Sequence, residues 1–418
     1  MNTSLKWSLL IIMGVIYFSS CKSKNGKEEQ IIESQNFYLQ GSFGYDREFL
    51  KRHYEGTIVL ENQDKKASIV LSPELQGRVM TSTLNGNAGI SYGWINYDLI
   101  VSGKIKPQFN PVGGEERFWL GPEGGQYSFY FKPDSAFSFE NWIVPAPIDT
   151  EPFEVIELQN NRVVFKKEMK LVNYSGNSFD IGVKRTVSLL NDQEIAINLN
   201  MSGLEVSTVA YETDNQVTNN GHLAWTKETG LPSIWLLSMM TPSPEVTVVI
   251  PIVEGEETEK GPKVNDNYFG QVSSDRLKTT AKTIFFKTDG NSRGKIGISP
   301  QRATAFMGSY DAINNTLTIL QIPQPSSNDS YVNSAWEIQD DPYSGDVLNS
   351  YNDGELEDGS QMGPFYELES SSPTLTLKPG EAYSHIQRIY HFKGTKEMLD
   401  PIAQKILEVS IDEILAVF

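Results

Sequence analysis

The chain has 418 residues, with 35 basic against 53 acidic side chains, a net charge of −18, and 11% aromatic residues. That balance argues against binding nucleic acid or an anionic lipid surface through a basic face. The single cysteine excludes an internal disulfide and any cysteine-based zinc site.

The N-terminus carries Lys6, an apolar run from Leu9 to Phe18, the small residues Ser19 and Ser20, then Cys21. Charged, apolar and small-residue regions in that order make a secretory leader. The run of about ten residues is too short for a membrane span, which needs roughly twenty. Small residues directly before a cysteine resemble a lipobox. Residues 1–20 are therefore expected to be a signal peptide, and Cys21 the site of lipidation and the membrane anchor. Lys22–Gln35 is polar and free of aromatics, so residues 21–40 read as a flexible tether. Lys22, just after the lipid site, fits sorting to the outer membrane of a cell envelope. Residues 41–418 are expected to form one domain.

Strand signals dominate the rest of the chain. Arg162–Phe165 is a β run, and Val183, Val187 and Leu189 alternate with Lys184, Thr186 and Ser188. Ile195, Ile197, Leu199 and Met201 alternate with polar and small residues, which predicts a second strand of a hairpin after Leu189–Asp192. Further runs lie at Thr247–Ile250, Thr283–Phe286, Thr316–Ile322, Thr374–Leu377 and His385–Phe392. Asp400-Pro401 predicts a helix start, with Ile402, Ile406 and Leu407 on one face. Ser410 and Glu413 form a capping box for a last short helix. The expected fold is all-β, a large antiparallel β-sandwich with short C-terminal helices.

Five segments carry candidate chemistry. In Val112–Gln126, two Gly pairs bracket Glu115, Glu116, Arg117, Trp119 and Glu123. Trp119 offers a flat apolar face on which a sugar ring can stack, and Arg and carboxylates bond hydroxyls in bidentate fashion. Thr218–Trp225 holds Asn219, His222 and Trp225, and a histidine there is suited to general acid catalysis near neutral pH. Glu337–Glu369 contains ten acidic residues and no Lys or Arg, so it reads as a long solvated loop system. Its oxygen ligands at irregular spacing allow Ca²⁺ as a cofactor, although the spacing is not that of an EF-hand. No other metal is implied. Glu367 and Glu369 share one face of a strand, where two like charges raise one pKa and make a base useful near neutrality. His385 and His391 lie on one side of the last strand, too few to hold zinc.

In their order along the chain these segments resemble the galactose mutarotase-like, or aldose 1-epimerase-like, superfamily. The resemblance runs from roughly Gly41 to Gly394. Leu71–Val79 is similar to its opening hairpin, Gly113–Glu123 to a variant seen in uncharacterised lipoprotein members, Thr218-Asn219 with His222 to its Asn-and-His motif, and Tyr366–Ser370 to its late glutamate motif. The Pro379-Gly380 turn and the strand ending His391-Phe392 are similar to its final hairpin. The resemblance implies a β-supersandwich with a sugar on a concave face. It also implies Glu367 or Glu369 as base, with Glu367 favoured, His222 as acid, and Arg117 as a holder of hydroxyls. Glu115, Trp119, Glu123, Asn219 and Trp225 are the further candidate substrate contacts. The family's second histidine motif has no match here. The expected function is carbohydrate binding at the cell envelope with epimerase or mutarotase chemistry. Non-catalytic capture of a glycan, or a polysaccharide lyase or glycoside hydrolase, is the alternative.

Overall fold

In the computed structural model, which describes residues 38–418 apart from Glu357, eighteen strands run antiparallel in three sheets. The expectations for the leader, Cys21 and the tether before residue 38 lie outside the described residues. The first three strands, β1 (Ile58–Glu61), β2 (Ser68–Ser72) and β3 (Arg78–Thr83), form a small sheet. The turn from β2 to β3 is the expected Leu71–Val79 hairpin. A helix, Phe43–His53, seals the sheet by placing Phe43, Phe49 and Leu50 against Val70 and Met80.

From there the chain shuttles between the two large sheets. β4 (Arg117–Gly121) enters the five-stranded sheet, and β5 (Glu154–Leu158), β6 (Arg162–Val172), β7 (Ser178–Leu189) and β8 (Ser207–Asn219) build one side of the ten-stranded sheet. β9 (Ser233–Met240) returns to the smaller sheet, and β10 (Val246–Pro251), β11 (Leu277–Thr279) and β12 (Thr283–Lys287) go to the larger. β13 (Gly294–Ile298) joins the smaller sheet, β14 (Phe306–Asp311) and β15 (Thr316–Gln321) the larger, and β16 (Leu348–Asn352) and β17 (Tyr366–Ser371) the smaller. β18 (Ala382–Lys393) closes the ten-stranded sheet by pairing with both β15 and β8. The order in the five-stranded sheet is β13-β16-β17-β9-β4.

Period two sets what each face buries. In β7, Phe179, Ile181, Val183, Val187 and Leu189 enter the core while Lys184, Thr186 and Ser188 point away. In β18, His385, Gln387, Ile389 and His391 face the five-stranded sheet. Tyr390 and Phe392 face outward, where Leu399, Ile402, Ala403 and Ile406 of the C-terminal helix cover them. Around β15 and β18 the larger sheet is thus covered on both faces, while the outer face of β6 and β7 stays largely exposed.

The fold departs from the sequence reading in four places. Asp192–Asn198 is a helix, not a strand: Asn191 and Glu194 form a complete capping box, and the buried residues Ile195 and Leu199 are four apart, with Ile197 left exposed. The hairpin partner of β7 is instead β8. The helix expected from Asp400 begins at Lys396, with Thr395 as its N-cap and Pro401 inside it. Thr374–Leu377 pairs with no strand, although Leu375 and Leu377 are buried. Finally, the acidic segment Glu337–Glu369 is not mainly a solvated loop, because Gly345–Gly354 and Phe365–Glu369 are buried and supply β16 and most of β17. The Ser410–Glu413 capping box is present as expected.

Candidate functional site

The site follows from strand alternation in the five-stranded sheet. Odd-numbered residues of β4, β9, β13, β16 and β17 face away from the ten-stranded sheet, and cross-strand register sets them in rows. One row runs Lys295, Tyr351, Glu367, Met239; the next runs Asn349, Glu369, Leu237, Arg117; a third brings Trp235 beside Trp119. Loops then wall this face with Phe109, Phe139, Trp142, Phe269, Trp336, Met362 and Phe365. The result is a cavity of about 630 Å³, counting the space that opens to solvent.

Its chemistry is aromatic and ionic together. The Arg117 guanidinium lies 4.2 Å from the Trp119 ring centroid and 5.1 Å from that of Phe109, and its Nη2 donates to Glu367 Oε1 at 3.0 Å. Cation–π contact and a buried ion pair hold it in one pose. Lys295 Nζ and Trp235 Nε1 both donate to Glu369 Oε2, each at 2.9 Å, and Lys295 sits 5.0 Å from the Trp235 ring centroid. Edge-on contacts between Trp119 and Trp235 (5.4 Å) and between Phe109 and Trp119 (5.4 Å) lock the floor.

Several polar atoms here have no partner within the protein: Arg117 Nε and Nη1, Trp119 Nε1, Trp142 Nε1 and Glu369 Oε1 are buried and unbonded. Buried polar groups are normally satisfied, so such a concentration marks either a strained site or one completed by something else.

Two carboxyl groups are tuned toward neutrality. Burial pushes Glu367 up to about 7; Arg117 pulls it back and Glu369 pushes it further up. Burial likewise pushes Glu123 up to about 7, against the pull of Lys295. Burial also pulls Lys295 down, but Glu369, Glu123 and Glu367 outweigh it, so its pKa is raised and it stays charged.

Arg117, Trp119, Glu123 and Glu367, picked out from separate segments of sequence, all line this one cavity, with Glu369 in its wall. The other candidates lie elsewhere. Glu115 takes the opposite face of the sheet, where Oε1 accepts from Ser82 and meets His391 Nε2 at 3.0 Å. His222 is exposed in the turn after β8, so the expected acid is not among the cavity-lining residues. Asn219 instead ties that turn together, with Nδ2 donating to the carbonyls of Leu223 and Leu377 and Oδ1 accepting from Gly221 N–H. Trp225 is buried in the core against Phe179. His385 and His391 do share a face, but it is the inter-sheet one. There His385 bonds Ser370 and is held neutral by burial, its pKa pulled down to about 4.

The glycine pairs also serve packing rather than a ligand. A Cβ at Gly114 would lie 2.3 Å from Arg78 Cδ, and one at Gly124 2.3 Å from the Ala335 carbonyl oxygen. In the acidic segment expected to offer calcium ligands, the two buried aspartates, Asp346 and Asp353, are taken by separate partners. Asp346 accepts from Tyr268 and Asn265, and Asp353 from Tyr351 and the Gly363 N–H. No group of three or more such side chains converges among the described residues.

Sequence reading missed Trp142, Trp235, Arg293, Lys295, Trp336 and Tyr351. Trp235 lies in a strand buried on both faces, where period two gives no signal. Lys295 was legible: a lone cation alternating with Ile296 and Ile298 in a buried strand needs an acidic partner.

Residues 41–418 match the profile of DUF6786, described as a family of unknown function, and the chain belongs to that family. No curated protein matches. Similar solved structures include a galactose mutarotase-like protein from Lactobacillus casei ATCC 334, at 12% identity over 80% of this chain and 100% of that one, TM-score 0.47. Another is the Slr1438 protein from Synechocystis sp. PCC 6803, at 12% identity over 81% and 96%, TM-score 0.47. A third is a galactose mutarotase related enzyme from Lactobacillus acidophilus, at 8% identity over 81% and 98%, TM-score 0.43.

Proposed function

We propose that this member of DUF6786 binds a carbohydrate in the aromatic-walled cavity of the five-stranded sheet and interconverts its anomers by carboxylate acid–base chemistry. The observation that carries the reading is the placement of Arg117 and Lys295, each bonded to a glutamate, against Trp119 and Trp235. Sugars present C–H faces to aromatic rings and vicinal hydroxyls to charged, bidentate partners, and this wall offers both together. The likeness of the sequence motifs to aldose 1-epimerases points the same way.

Glu367 and Glu123 supply the proton chemistry. Two carboxyl groups with pKa values near 7 allow one to be ionised and the other protonated at neutral pH. Glu367, stabilised as an anion by Arg117, takes the proton from the anomeric hydroxyl. Glu123, which makes no ion pair among the described residues, gives its proton to the ring oxygen. The ring opens to the free aldehyde, the C1–C2 bond rotates, and reversal of both transfers closes the other anomer. Glu123 thus takes the role that the sequence assigned to His222.

A second reading, capture of a glycan without turnover, draws support from the same ion pairs, since Arg117 and Lys295 already engage both glutamates of β17. Anomer exchange followed by NMR on each sugar that binds separates the two. Exchange accelerated by the protein and abolished in Glu367→Gln supports catalysis. Binding with no acceleration leaves capture alone, and inertness toward all sugars sinks both.

We further propose that the chain is a lipoprotein of the cell envelope, held at the outer membrane through Cys21. Its support is the leader-like order of Lys6, Leu9–Phe18, Ser19, Ser20 and Cys21. Metabolic labelling with an alkyne palmitate should mark the wild type and leave Cys21→Ser unlabelled. Equal labelling of both would remove the anchor.

A further inference from the structure

The cavity does not end at its charged floor. From Trp119 a line of rings runs outward through Trp142, 6.5 Å away, to Phe139, a further 6.1 Å on and nearly parallel to it. On the opposite wall Tyr351 leads to Phe269 at 5.9 Å, and the Arg293 guanidinium lies over Phe269 at 3.8 Å. The floor residues are buried, but at the rim Phe139 is 61% exposed, Phe269 47% and Met362 40%, although all three line the same cavity. Arg293 is exposed beside them and forms no ion pair among the described residues.

Isolated exposed hydrophobic residues need no explanation, but apolar side chains grouped around the mouth of one polar cavity do. A monosaccharide engaged by Arg117, Glu367 and Lys295 sits at the floor and leaves this rim in water.

We infer that the ligand is the reducing-end unit of an oligosaccharide, which alone carries a free anomeric hydroxyl, and that the next sugars rest on Phe139 and Phe269 and receive hydrogen bonds from Arg293. This rests on the proposal of sugar binding and specifies its substrate class. The rim rings stand on opposite walls, so a chain leaving the floor passes between them and covers both. Stacking on a ring recognises the C–H face common to many sugars. The floor therefore selects the terminal unit, and the rim adds affinity with length.

The test is a thermal-shift screen of the full-length protein against free, reducing mono- to tetrasaccharides of hexoses, deoxyhexoses, hexosamines and uronic acids in solution. Calorimetry then follows on each hit and on its component monosaccharide. Affinity is expected to rise roughly tenfold from the monosaccharide to the trisaccharide, as burial of an aromatic face implies. Phe139→Ser and Phe269→Ser should each remove most of that gain while leaving monosaccharide affinity unchanged. Both positions are exposed, so neither variant endangers folding. A monosaccharide that binds as tightly as its oligomers overturns the inference and leaves the sugar site standing. A rim variant that weakens both equally also overturns it. Failure of every glycan, long or short, overturns the sugar reading and this inference together.

Discussion

The five-stranded sheet buries an Arg–Glu pair on each of its faces, and the two are finished differently. On the inner face Arg185 donates from Nη2 to Glu116 at 2.9 Å, from Nε to the Gly77 carbonyl and from Nη1 to Asn215, while Gln387 donates to the other Glu116 oxygen at 2.7 Å. Both side chains of that pair are fully buried. On the outer face Arg117 bonds Glu367 through one nitrogen, rests its plane on two rings and leaves Nε and Nη1 without partners. A saturated pair specifies the packing of two sheets; an unsaturated pair beside a cavity retains bonding capacity for something else. The same two residue types therefore carry structure on one side and, under the proposed function, recognition on the other.

The largest expected effect breaks the inner pair. Glu116→Gln should destabilise the protein by roughly 3 kcal/mol in urea unfolding, because it leaves Arg185 charged without compensation among buried neighbours. A cost below about 1 kcal/mol, the scale of an exposed pair, would mean that the inner network is not what holds the sheets in register.

Next comes pH. Glu123 and Glu367 have folded pKa values raised to about 7 from an ordinary value of 4.5. Between those limits the native state holds more protons than the unfolded chain, so these two groups make stability fall as pH rises from about 4.5 to about 7, with the loss complete above 7. The double variant Glu123→Gln/Glu367→Gln should flatten that part of the stability–pH curve. An unchanged curve would show that neither carboxyl is raised.

A smaller effect separates the faces directly. Glu367→Gln should cost about 1 kcal/mol or less in stability, since Arg117 keeps its two rings and an amide acceptor. It should nonetheless weaken sugar binding by roughly tenfold, the worth of one charge-assisted hydrogen bond. If it destabilises as much as Glu116→Gln, the two faces do the same work. The smallest effect belongs to Trp235→Phe, which removes one donor from Glu369 and leaves Lys295. Thermal melts should register about 0.5 kcal/mol, with a lesser loss of sugar affinity than at Glu367.

Alternation and turn chemistry made much of the larger sheet legible and little of the smaller one. β7, the inner face of β18 and the Ser410–Glu413 cap follow from local residues, because a strand's two faces and a helix's first turn are written within a few positions, while the β2–β3 hairpin was expected from the family resemblance. Reading failed where two local codes overlapped. Ile195, Ile197, Leu199 and Met201 fit period two, yet Ile195 and Leu199 also fit one helical face, and the Asn191–Glu194 cap decided for the helix. It failed again at the acidic segment, where composition pointed to water but Asp346 and Asp353 found buried partners.

Local sequence was enough to put Glu367 and Glu369 on one face of a strand, because pleating sets that parity between neighbouring residues, whereas β4, which carries Arg117 and Trp119 between its glycines, was not legible as a strand. Which faces meet was settled by the packing of the sheets. Sheet order puts β17 between β16 and β9, and that brings Lys295 and Trp235 to Glu369 from segments 74 and 134 residues away. It also turns Glu115, His385 and His391 inward and leaves His222 in an outer turn. Parity is a property of neighbours along the chain, whereas a site is a property of neighbours across it. Register between distant strands is fixed by how the whole core packs.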